Sequence, residues 1–269
     1  MSNARFTNPS VLAFAALIAF AAPSCKKSDV VAPAEADVAA PATVAAVQVS
    51  DEEARTLSAF IASTTGETNV TWNAAAGHFV IDNDAAMTIE DARAYYAQRS
   101  QGAQTEHRRS YYAVAPTKAP YVKVYADATV PAVWIAALDK AIANWNAAGS
   151  KLQVTRVSAN TTGAVWVKGV NNGGNGVIAT TYYPDYNSNP GKSCTINTNY
   201  NYLSSGQQVF AITHELGHAF GFGHTNSTYG TLVPGSPNTD TQSIMNSVCL
   251  SWTSFTTYDL LAIRTVYPR

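Results

Sequence analysis

The sequence predicts an α+β fold for residues 118–269, behind a smaller α+β unit at 49–117. Three observations carry this. Short β-branched and aromatic runs recur between Tyr121 and Thr180, separated by turn formers. Two stretches, from Pro131 and from Ser205, instead repeat apolar residues at the helical period. The run Thr225–Thr241 is built of turn formers, so irregular chain separates the last helix, starting near Thr256, from everything before it.

The chain opens with an address. Arg5 precedes the apolar run Val11–Ala22, which is too short to span a bilayer. Cys25 stands at the end of this segment before Lys26-Lys27, so residues 1–24 resemble a bacterial lipoprotein signal peptide with Cys25 as the lipidated residue. The expectation is an exported protein on the outer membrane or cell surface, touching the membrane only through that anchor, or simply secreted if Cys25 is not lipidated. Residues 25–48 are rich in Ala, Val and Pro and read as a flexible tether.

In the unit at 49–117, Ser50-Asp51-Glu52-Glu53 reads as a capping box, followed by Ala54, Leu57, Phe60 and Ile61 at helical spacing. Asn69–Trp72 and His78–Asp82 suggest a hairpin, and Thr88 caps a second helix reaching about Arg99. Such a unit before a catalytic domain suggests a propeptide or inhibitory pre-domain. A cysteine cannot be the inhibitor, because none lies between Lys26 and Cys194. Asp82 or Asp84 could occupy a metal instead, although turn aspartates commonly serve the backbone. His78 and His107 read as surface or packing residues, and Arg108-Arg109 as a weak processing signal.

From residue 118 onward, Tyr121–Ala126, Leu152–Val157, Ala164–Lys168 and Val177–Thr180 read as strands. Pro131 opens a helix with Trp134, Leu138, Ala141, Ile142 and Trp145 on its apolar face. Ser205-Gly206-Gln207-Gln208 reads as the capping box of a second helix, buried through Val209, Ile212, Leu216 and Phe220. Thr256–Asp259 caps the last helix, whose Leu260, Ile263, Val266 and Tyr267 face inward.

The chemistry concentrates on the second of these helices. His214 and His218, one turn apart, project from the same face and can take two corners of a zinc tetrahedron. Glu215 is a quarter-turn away, placed to act as a general base without being a ligand. Gly221 can end the helix in a left-handed conformation, returning the chain so that His224 becomes the third ligand. The complete pattern is H-E-x-x-H-x-x-G-x-x-H, and it holds three of the five histidines.

With Ser243-Ile244-Met245-Asn246 downstream, this motif resembles the metzincin clan of zinc endopeptidases. Within it, His214-Glu215-Leu216-Gly217-His218, Gly235-Ser236-Pro237 and Tyr258–Ile263 are most similar to the bacterial dual-action HEIGH metallopeptidases. The resemblance implies a twisted mixed sheet with two helices, then a methionine turn at Met245 beneath the metal, and a C-terminal helix. It also implies that the strand at Val177–Tyr182 edges the cleft, where an extended substrate adds by backbone pairing. Residues Thr225–Ser251 would wall the specificity pocket. Ser247 stands where some clan members carry a tyrosine ligand, so three protein ligands are expected.

Cys194 and Cys249 are the remaining cysteines, and in an exported protein an even pair suggests a disulfide worth roughly 4 kcal/mol. A net charge of −1, with 13% charged residues, leaves no footprint for nucleic acid. The expectation is a monomeric zinc endopeptidase with one catalytic Zn²⁺, acting on protein or peptide substrates; Ca²⁺ sites are not legible. The rival readings are a surface-binding protein retaining a zinc site and a zinc hydrolase of non-peptide bonds.

Overall fold

A computed structural model describes residues 48–99, 112–225, 233–237 and 239–269. Cys25, the leader, nearly all of the tether, His107 and Arg108-Arg109 lie outside them. No helix among the described residues is long and apolar enough to cross a membrane.

The elements run α1 (Asp51–Thr65), β1 (Val70–Asn73), β2 (His78–Ile81), β3 (Ala85–Thr88) and α2 (Ile89–Gln98) in the N-terminal part. Then follow β4 (Val122–Ala126), α3 (Ala132–Ala147), β5 (Val154–Val157), β6 (Val165–Val170), β7 (Ala179–Tyr182), β8 (Ser193–Asn197), α4 (Ser205–Ala219) and α5 (Thr257–Val266). All eight strands form one mixed sheet in the order β1-β2-β3-β7-β8-β6-β4-β5. The α+β class is therefore as the sequence predicts.

Two expectations change. β7 is no edge: β8 pairs with it antiparallel on one side and β3 parallel on the other, through Ala85↔Thr181 and Ala86↔Tyr182. Hence Ala46–Arg269 forms one compact unit, with the ladder running unbroken across the proposed boundary at residue 117. The N-terminal part nonetheless has its own core, in which Leu57, Ile61, Phe79, Met87 and Tyr95 pack with Tyr112 and Tyr183.

Caps set the helix starts. Ser50 accepts from the Glu53 amide, but the Glu53 carboxylate turns away to Arg93 at 2.6 Å, so the box is only half made. Ser204, one residue earlier than expected, caps α4 and forms the full box with Gln207. Thr256 and Asp259 cap α5 as predicted, through a full capping box. Trp145 of α3 donates its indole N–H to the Thr213 carbonyl at 3.0 Å and stacks on Phe222. That contact fixes α4 against α3 inside the main core.

Candidate metal centre

His214 and His218 lie on the last turns of α4, every residue of which is buried from Gln208 to Ala219. The helix closes in a Schellman motif: the Phe222 amide bonds the Gly217 carbonyl and the Gly221 amide that of His218, both at 2.9 Å. Gly221 takes φ 96°, and a Cβ there would overlap the Tyr112 carbonyl, so two independent reasons demand glycine. The reversed chain brings the His224 ring to 5.1 Å from His214 and 4.9 Å from His218, centroid to centroid.

The ring protons can be placed from their partners. His214 Nδ1 meets the Ile244 carbonyl at 2.7 Å, and His218 Nδ1 meets the Phe222 carbonyl at 2.9 Å. A carbonyl only accepts, so both Nδ1 atoms carry the proton and both Nε2 atoms present lone pairs. His224 Nδ1 faces the carboxylates of Asp82 at 3.2 Å and Glu67 at 3.3 Å. Burial opposes charge on this ring, but Asp82, Asp84 and Glu67 together raise its proton affinity well above the ordinary histidine value, so metal binding there would release a proton. Burial, and then His214, hold His218 well below the ordinary histidine value, keeping it in the neutral form a metal needs.

Asp84 completes the cluster. Its Oδ2 lies 3.1 Å from His224 Nε2 and 3.6 Å from His214 Nε2, and its Oδ1 lies 3.7 Å from His218 Nε2. His214 Nε2 and His224 Nε2 are 3.3 Å apart. Donors in a tetrahedron around zinc at about 2.0–2.1 Å are separated by about 3.3 Å. Asp84 Oδ1 and His218 Nε2 are buried without a hydrogen-bond partner. Three imidazole nitrogens and a carboxylate oxygen converging at these distances fit a zinc ion.

Glu215 is buried beside them, its Oε2 without a hydrogen-bond partner. Burial, and then the charge of Asp84, raise its proton affinity well above the ordinary carboxylate range. His214, His218 and His224 converge with Glu215 beside them, and Met245 lies beneath α4. Of the two aspartates weighed from sequence, Asp84 lies among the three Nε2 atoms and Asp82 beside His224 Nδ1. Glu67 carried no sequence signal at all.

Met245 is buried under the helix, where a Cβ on Gly217 would overlap its Sδ. Its turn is held by Asp259 of α5, which accepts from the Ser243 hydroxyl at 2.6 Å and from the Ile244 amide at 3.1 Å. Behind the turn is an apolar cavity of about 50 Å³ lined by Trp145, Phe222, Val233 and Met245. On the opposite flank, a polar cavity of about 510 Å³ runs along Asn175–Ala179 to His214 and Glu215.

The expected Cys194–Cys249 bridge is not formed, and both are free thiols. Cys194 sits in the sheet core on β8, where burial pushes its thiol far up. Cys249 instead turns its Sγ toward the carbonyls of Gln207 and Leu250, with the thiol pushed up to about 11 by burial.

Residues 79–267 match the dual-action HEIGH metallo-peptidase family. A search of curated proteins finds no match. Among solved structures, myroilysin is 18% identical at TM-score 0.40, the alignment covering 55% of this chain and 83% of that one. High choriolytic enzyme 1, a hatching-enzyme zinc-protease from the medaka fish Oryzias latipes, is 14% identical at TM-score 0.39, covering 58% and 93%. The family match spans most of the chain: this protein belongs to the dual-action HEIGH metallo-peptidases.

Proposed function

We propose that this member of a metallo-peptidase family cleaves internal peptide bonds of protein substrates, with zinc on His214, His218 and His224 and with Glu215 as general base. The observation that carries it is the convergence of three imidazole nitrogens beside a buried carboxylate whose Oε2 has no partner. Zinc held there would acidify a water molecule and polarise the scissile carbonyl. Glu215 takes the proton from the attacking water and returns it to the leaving amide nitrogen. Ile244 and Phe222 hold His214 and His218 in the ligating tautomer through their carbonyls. The polar cavity along Asn175–Ala179 leads an extended chain to Glu215.

One observation favours a second reading. A zinc site with four protein ligands is the usual mark of a structural site, and Asp84 supplies a fourth. A structural site has no use for Glu215, whereas a peptidase does. The Asp84→Ala chain separates the two readings. Stripped of metal and reloaded with one zinc, it should regain casein hydrolysis in proportion to zinc bound. Full zinc occupancy without hydrolysis would support the structural reading.

Export and lipid anchoring at Cys25 belong to the same proposal and rest on the leader's sequence. The Cys25→Ser chain should leave the membrane fraction; unchanged fractionation would point to another mode of attachment.

A further inference from the structure

We propose that the N-terminal part holds this enzyme latent in the intact chain, with Asp84 in the fourth position at the metal and β3 on the flank of β7. The inference rests on the zinc-peptidase reading of the site and adds its regulation. The β2–β3 loop is shaped for the task. Asp82 and Asn83 take positive φ, 45° and 71°, a conformation that Asp and Asn tolerate better than other side chains. That bend turns the Asp84 side chain, only 19% exposed, toward the three Nε2 atoms.

The strand that follows is as telling. β3 runs parallel to β7, and the Thr181 amide donates to the Asp84 carbonyl at 2.8 Å. The same residue thus blocks the metal with its side chain and engages the strand beside the cleft with its backbone. That is backbone pairing of the kind an extended peptide would use, here satisfied from within the chain.

Further contacts hold the N-terminal part against the residues beyond it. Asp82 and Glu67 both face Nδ1 of His224, and the Tyr186 amide donates to Asp91 at 3.1 Å. Tyr95 donates to the Pro184 carbonyl at 3.1 Å. A loop that merely served its own turn would not need Asp82 to reach His224.

The test uses cobalt in place of zinc in the full chain, with visible absorption as readout and acetohydroxamate as a small metal-binding probe. A site closed by Asp84 binds the probe only in the fraction of molecules where Asp84 is displaced, which weakens its apparent affinity by that fraction. The wild-type spectrum should resist the probe, and Asp84→Ala should respond at concentrations at least about 10-fold lower. Equal response in the two chains would overturn the proposal. Should Asp84→Ala fail to retain cobalt, the wild type decides against Asp84→Asn, which keeps the side-chain shape and loses the charge. Here too, equal response means Asp84 is not a ligand. A spectral difference without casein cleavage by Asp84→Ala would uphold the ligand assignment while counting against the peptidase reading.

Discussion

Gly217 lies between two metal ligands, and its lack of a side chain makes room for the Met245 sulfur. Alanine there has two opposing effects. It should favour the helix by about 1 kcal/mol, but it also drives a methyl group into Met245, and overpacking costs about 1–3 kcal/mol. The overlap is with a buried side chain packed in the main core, so the second effect should win. Gly217→Ala is expected to lower the urea midpoint, and a raised midpoint would mean that Met245 moves freely. At this scale the sequence was legible wherever the site is local, because His214, Glu215, His218 and His224 lie within eleven residues. Glu67 was not legible: it reaches the His224 amide from 157 positions away, and no local pattern encodes that approach.

The methionine turn depends on α5. Asp259 caps that helix at the Thr256 amide, 2.9 Å away, and also accepts from Ser243 and Ile244. Asp259→Ala leaves these donors facing a void in a buried place, a loss of roughly 2–3 kcal/mol. The turn in turn holds His214 through the Ile244 carbonyl, so zinc affinity should fall with stability. A stable variant with unchanged zinc affinity would show that the turn holds itself. Elements with strong periodicity, α3 and α4, were legible within a residue or so. β8 was not read as a strand, since Ser193, Thr195 and Asn197 give it a loop-like composition. Its position between β6 and β7 comes from tertiary pairing.

Over the whole molecule, one sheet joins two cores, and the sequence showed the cores without the join. The β3–β7 pairing explains why: each strand is short, and nothing in either run names its partner. This continuity predicts that residues 48–269 unfold in a single transition; two well-separated transitions would mean that the N-terminal part is stable alone. Metal should raise the melting point of that transition. At zinc a thousandfold above its dissociation constant the stabilisation would be about 4 kcal/mol, and chelation should remove it. An unchanged melting point after verified zinc removal would contradict a folded-state metal centre. The most direct test of the central claim sets Glu215→Gln into the Asp84→Ala chain and measures bound zinc and casein turnover together. Glutamine keeps the shape and cannot act as the base, so one zinc should remain while turnover falls by about 10²–10⁴-fold. Turnover equal to the Asp84→Ala parent, with zinc still bound, would contradict the assignment of Glu215 as the base.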